Sequence, residues 1–340
     1  MTAAEAMVSS ESAPRAPSWI SALLGRIVSL VRFLVGVIFC LTPFTAVFVL
    51  GWLMRLMQRE EALTRERLQG LARSGRRARL PRWIMAETSV SSKGLARWFG
   101  SLIDNVRFGL AALVTIAAGT LPFTLLWLFS WWGGWENSFN KGYEQAWVGP
   151  AVGLIGVAAS LPLLARLPMA LAHQAAEGRL SAFFAWRDVK RLIRGAGWRY
   201  VMFSFLFVVA AVPLFVAKSA PVFVEQWSPG FLDRNAAAVQ DFAGGYRFVL
   251  AVYLLSVLVL LRRAAARLHG GAVLAIEHQD KKRAISFSLG TVLQTLFLWL
   301  IWFGLVVQIY VGQFFSHQWL SWLNHPLVEL PWILPLGVPL

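Results

Sequence analysis

The sequence predicts an all-α, polytopic integral membrane helical bundle of about six transmembrane helices with interfacial amphipathic helices, and three observations carry that expectation. Hydrophobic residues fill 57% of the 340 positions and charged residues only 14%, outside the proportions of soluble globular chains. Six stretches are apolar enough to cross about 30 Å of hydrocarbon, which takes roughly 20 residues of helix. The whole net charge of +15 is concentrated in three of the segments between them. A β-barrel is excluded, because barrel strands alternate apolar and polar positions over about 10 residues and these runs are apolar on all sides.

Taken in order, residues 1–26 are small, polar and proline-containing, and are expected to be disordered or interfacial. They lack the compact basic start, short apolar core and small-residue cleavage site of a secretory signal. The transmembrane domain is expected over 27–315. Its spans are Leu34–Met54, Phe108–Trp131, Val148–Leu171, Val201–Val224, Phe248–Leu261 with its apolar continuation, and Phe287–Val311. Pro43, Pro122, Pro162, Pro168 and Pro213 fall within these spans and are expected to kink rather than end them, because neighbouring helices can satisfy the freed carbonyls. The apolar run Ile27–Met57 is read as one span kinked near Pro43, since either half alone would reach only about two thirds of the way across. The alternative is a short helical hairpin.

Orientation follows from charge, since Lys and Arg stay on the cytoplasmic side in short loops. Residues 55–107, 173–200 and 262–285 carry net charges of +7, +4 and +4, and are expected to be cytoplasmic. Residues 316–340 hold no Lys or Arg, which places the C-terminus on the other face. That tail contains Trp319, Trp322 and Trp332 among four prolines, so it is expected to lie along the outer interface instead of spanning. Arg262, Arg263 and Arg267 are expected to snorkel at the inner end of the short fifth span. The alternation of inbound helix, basic stretch and outbound helix occurs three times, and a degenerate repeat is one reading of it.

The stretch AEGRLSAFFAWRDVKRLIRGAGWRY at 176–200 explains its own charge when written at 100° per residue. Trp186, Val189, Leu192 and Ile193 share one side, and Arg187, Lys190, Arg191 and Arg194 share the other. This predicts an amphipathic helix resting on the membrane boundary or on helix ends, its basic face toward anionic head groups or a protein partner. Leu180, Phe183 and Phe184 point elsewhere, which predicts a bend near Ala185. Arg76, Arg77 and Arg79 lie in the densest basic run, RSGRRARLPR at 73–82, and are further candidate anionic-lipid or partner contacts. The preceding Glu60, Glu61 and Glu66 alternate with Arg59, Arg65 and Arg67, as in a salt-bridged helix running into the cytosol. Nucleic acid is excluded as a partner, because basic residues gather wherever insertion orientation requires them.

Particular residues resemble a family. PFTAVFVLGWLMRLMQRE at 43–60, LPRWIMAE at 80–87 and GLARWFGSLIDNVRFGL at 94–110 resemble the polytopic membrane proteins grouped as domain of unknown function family 4013. GRLSAFFAWRDVKRLI at 178–193 is similar to that family's second cytoplasmic segment. Arg82 departs from the family's usual acid after proline, and the linker 61–79 is longer and more basic. The resemblance covers roughly residues 30–260 and implies a bacterial or archaeal membrane fold, with no reaction attached.

Catalytic, cofactor and metal motifs are missing from the sequence: no Gly-rich phosphate loop, no His-Glu-x-x-His, no serine elbow. Cys40 is the single cysteine. A three-histidine metal site would have to draw on His173, His269 and His278, the last beside Glu277. Arg166, between Pro162 and Pro168, is the candidate intramembrane polar site; the alternative is that it snorkels or meets carbonyls freed by the prolines. The functional expectation is a non-enzymatic scaffold or accessory subunit of a membrane assembly, in the cytoplasmic (inner) membrane of a bacterium, contacting lipids and possible membrane protein partners. A lipid or small-molecule transporter with Arg166 lining its path is the alternative. A transporter should bring several intramembrane polar groups together at mid-depth.

Overall fold

The computed structural model of the chain describes residues 19–70, 95–135, 148–219 and 236–277. Among these there are eight helices and no strand: α1 Trp19–Phe39, α2 Pro43–Leu68, α3 Leu95–Trp135, α4 Val148–Glu177, α5 Leu180–Phe183, α6 Trp186–Ala196, α7 Trp198–Ser219 and α8 Ala236–Glu277. The expected sixth span, the tail 316–340, residues 1–18, Arg76, Arg77, Arg79 and His278 lie outside the described residues.

The single kinked helix expected over 27–57 is two helices. Cys40 N–H closes the last turn of α1 onto the carbonyls of Gly36 and Val37, and Leu41 N–H bonds Ile38 O at 3.0 Å. Thr42 then caps α2, its hydroxyl accepting from Thr45 N–H at 3.3 Å. Pro43 follows in the first turn, where a missing N–H costs nothing. Thr-Pro is therefore a start signal here, and the proline begins a helix instead of bending one. The break brings the rings of Phe39 and Phe48 to 6.0 Å; nine residues of continuous helix would hold them about 13 Å apart.

The other prolines do not end their helices, as expected: α3 runs through Pro122, α4 through Pro162 and Pro168, and α7 through Pro213. Two tyrosines lie beside these prolines. Tyr200 of α7 donates to the carbonyl of Ala165 at 2.7 Å, and Tyr253 of α8 donates to the carbonyl of Ala210 at 2.9 Å. Each carbonyl lies three residues before a proline, Pro168 or Pro213, next to the carbonyl four residues before it that loses its helical donor. A neighbouring helix thus supplies a tertiary hydrogen bond within the proline turn.

Helix α2 lies against α3 and α8, and α4 against α3 and α8. The approach of α2 to α3 is close enough to need glycine on both sides. A Cβ at Gly51 would fall 1.7 Å from the carbonyl oxygen of Asn105, and one at Gly109 would fall 2.0 Å from that of Val47. These pairs fix α2 and α3 as antiparallel. Along α2 and α8 the contact numbers instead rise together, Met57 with Arg262 and Glu60 with Arg263 and Arg267, so those two helices run parallel. The core they enclose joins Met54, Met57, Met169, Phe183, Ile193 and Tyr200, with Ala265, Ala266 and Ala272 keeping α8 close to its neighbours. A second cluster packs Val37 of α1 and Cys40 just after it with Leu53 of α2 and Ala251 and Leu255 of α8.

The outside of this bundle is apolar. Ile38, Ile103, Val114, Leu206, Val249 and Leu260 are all exposed, while Arg55, Glu60, Glu61, Asn105, Gln174 and His269 are buried. Two stretches, Phe99–Pro122 and Gly244–Glu277, are long and apolar enough to cross a membrane. The full helices that contain them have 41 and 42 residues. At 1.5 Å per residue each is about 60 Å long, twice the thickness of a hydrocarbon layer.

Candidate functional site

Chemistry-bearing side chains gather at the end of the bundle where α2, α4 and α8 meet the short helices α5 and α6. The chain is steered there by two glycines in the left-handed region, Gly178 at φ 69° after α4 and Gly197 at φ 59° after α6, where a side chain would be strained. Between them the expected bend near Ala185 is present: α5 stops at Phe183, and α6 starts at Trp186. Asp188 in the first turn of α6 and Arg194 in its last complement the helix dipole.

The two faces of α6 divide as its periodicity predicts. Val189, Leu192 and Ile193 are buried, and the apolar face rests on α4 and α8. Gly195 allows the closest approach, since a Cβ there would stand 2.9 Å from the carbonyl oxygen of Ala272. Of the two supports expected for this face, it is helix ends that the structure supplies. Arg187, Lys190, Arg191 and Arg194 are all exposed on the opposite face, with Arg179 and Arg199 exposed beside them.

Beneath α6 runs a buried polar seam that sequence reasoning did not assemble. Glu60 of α2 accepts from Arg267 Nε of α8 at 3.1 Å and is ion-paired with Arg263, whose Nε is also at 3.1 Å. Its neighbour Glu61 pairs with Arg65 one turn on, and lies 3.5 Å from His269 Nδ1 of α8. The other ring nitrogen of His269, Nε2, faces Nδ1 of His173 of α4 at 3.3 Å. Helix α2 does continue past its apolar run, as expected, but Glu60 and Glu61 point into the bundle instead of a solvated flank. Arg263 and Arg267, expected to snorkel, are ion-paired.

Electrostatics at the seam keeps Glu61 ionised. Burial alone would push its carboxyl up, but His269 and Arg65 outweigh that, and it lies below the ordinary carboxylate range. Burial lowers the His173 imidazole, and the neighbouring His269 lowers it further, against weaker opposite pulls from Glu177 and Asp188.

A second polar group locks α2 to α3. Arg55, 4% exposed, donates through Nη1 to Asn105 Oδ1 at 2.8 Å and to the carbonyl and hydroxyl of Ser101 at 3.2 Å. Its Nη2 is 3.9 Å from Asp104 Oδ2. A third locks α3 to α4, with Thr115 donating to Gln174 Oε1 at 2.9 Å. Arg166, the candidate intramembrane site, is half-buried on α4 two turns before His173. The carbonyl beside it, that of Ala165, is taken by Tyr200 and not by Arg166.

Of the three histidines considered for a metal, His173 and His269 are brought together. Among the described residues no group of three or more His, Cys, Asp or Glu is arranged to hold a metal ion. The signal that could have revealed the seam is positional. QREE at 58–61 and RRAAAR at 262–267 close two apolar runs of the same expected direction, so opposite charges arrive at the same depth.

No protein-family model, no curated protein and no solved structure matches the chain.

Proposed function

We propose that this chain is a non-enzymatic integral membrane scaffold or accessory subunit, a bundle of about six spans in the cytoplasmic membrane of a bacterium. On this reading α6 and the other basic stretches lie inside and the C-terminus lies outside. The resemblance of residues 43–110 and 178–193 to domain of unknown function family 4013 belongs to the same proposal. A bilayer accounts for the apolar outer surface, which in water would be an association or aggregation patch.

One observation carries the choice of scaffold over transporter: the buried polar groups are spent on one another. Arg55 with Ser101 and Asn105, Thr115 with Gln174, Glu60 with Arg263 and Arg267, and the two tyrosines with carbonyls in the proline turns all join one helix to the next. Such pairs fix helix positions. The basic face of α6 is the surface left to meet something else, and anionic head groups attract each such residue by about 1 kcal/mol near a charged leaflet.

Two experiments test this. An activity reporter fused after Leu340 is expected to be active only on the non-cytoplasmic side, and one inserted at Ser74 only inside; both on one side would overturn the topology. Changing Arg187, Lys190, Arg191 and Arg194 together to Gln is expected to reduce co-purifying anionic lipid several-fold while the protein still inserts. Unchanged lipid with loss of a co-purifying protein would assign α6 to a protein partner.

A further inference from the structure

The chain Glu61, His269, His173, its first two members buried and His173 half-buried, is not used by the scaffold reading, and it joins three separate helices, α2, α8 and α4. Nδ1 of His269 lies 3.5 Å from the Glu61 carboxylate, which stays ionised; the contact is electrostatic and not a hydrogen bond. The remaining contact is between two ring nitrogens, His269 Nε2 and His173 Nδ1, at 3.3 Å. Two facing nitrogens at that distance hold together when one proton lies between them and repel when each carries its own.

We propose that Glu61, His269 and His173 form a proton-operated latch that holds α4 against α8 near neutral pH and releases it on acidification. One proton lying between His269 Nε2 and His173 Nδ1 keeps the latch closed, whichever ring donates it. A proton taken up at His173, whose imidazole burial disfavours as a cation, leaves a proton on each facing nitrogen and breaks the contact. Two N–H groups then face each other, on rings whose centroids are 5.5 Å apart.

The surroundings set the direction. Around the pair stand Glu61 and Arg65 from α2, Glu177 from α4, Arg179 from the turn after α4, and Asp188 from α6. Glu60 is engaged by Arg263 and Arg267. Glu177 is itself paired to Arg179 at 2.9 Å, which weakens its pull on His173. A histidine lowered in the folded state stabilises the fold fully above the ordinary pKa of about 6.5, and that stabilisation disappears as pH falls through the lowered value. What moves is the platform under α6, because its apolar face rests on the same two helices that the latch joins. The device therefore couples cytoplasmic acidity to the placement of the basic helix. It rests on the proposed orientation only for which compartment is sensed; the latch itself does not depend on it.

The test uses the full chain in nanodiscs, with Cys40→Ala and spin labels at Leu180→Cys after α4 and Glu277→Cys at the end of α8, both exposed positions. Between pH 7.5 and 5.0 the distance between labels is expected to lengthen or broaden reversibly, and His173→Gln is expected to remove the pH response. His269→Gln serves the same purpose if the first variant does not fold. An invariant distance in the parent, or an equal response in a folded His→Gln variant, overturns the latch. Reporter fusions that contradict the topology while the pH response persists would reassign the compartment sensed and leave the latch standing.

Discussion

Gly51→Ala is expected to destabilise the bundle by about 3 kcal/mol, the upper part of the range for forcing extra volume into a packed interior. The cost is high because the atom in the way is backbone. A Cβ at Gly51 would stand 1.7 Å from the carbonyl oxygen of Asn105 and 2.5 Å from its carbonyl carbon, and no side-chain rotation clears that space. Helix α3 must retreat, and with it the Ser101 and Asn105 groups that Arg55 reaches. Denaturation of the purified protein in detergent, compared with the parent, measures the loss. Gly245→Ala is the matched control, because a Cβ there meets open space.

Arg55→Met is expected to cost a similar amount, about 3 kcal/mol, by leaving buried acceptors on α3 without their donor. The guanidinium serves Asn105 and Ser101 through one nitrogen and lies near Asp104 through the other. Methionine fills much of the same volume and supplies no N–H. Arg55→Lys should recover only part of the loss, because an ammonium is a compact donor that does not reproduce the planar fork. Since Gly51 and Arg55 act on the same pair of helices through Asn105, the double variant should lose less than the two single losses added together. Additive losses in the same denaturation assay would show that the close approach and the polar lock are independent.

Much of the helical architecture was legible because it is encoded locally. The periodicity of residues 186–194 gave both faces of α6, and the misaligned Leu180, Phe183 and Phe184 gave the bend at Ala185. The prolines at 122, 162, 168 and 213 were read as internal because the apolar runs continued beyond them. Pro43 was misread for a local reason as well: Thr42 before it and Thr45 after it make a cap, and capping outweighs apolar continuity over only three residues. The seam was illegible for a different reason. Glu60 and Glu61 have arginines at helical spacing along their own chain, so a self-contained solvated helix satisfied every rule that looks only at neighbours in sequence. Their actual partners on α8 depend on α2 and α8 running parallel at matched depth, and a single chain's periodicity does not contain that relation. The roles of Tyr200 and Tyr253 were hidden likewise, since each bonds a backbone carbonyl on another helix.

The pairing of Glu60 with Arg267 spans 207 positions of sequence. During synthesis at about 5–20 residues per second, the carboxylate is therefore made roughly 10–40 seconds before its guanidinium partners exist. Helix α2 must spend that interval with Glu60 and Glu61 unanswered from α8, sustained by Arg65 on its own next turn. On the proposed membrane topology both acids lie at the water-facing end of the helix, which makes the delay tolerable, and the arrival of α8 is the event that completes the early half of the molecule.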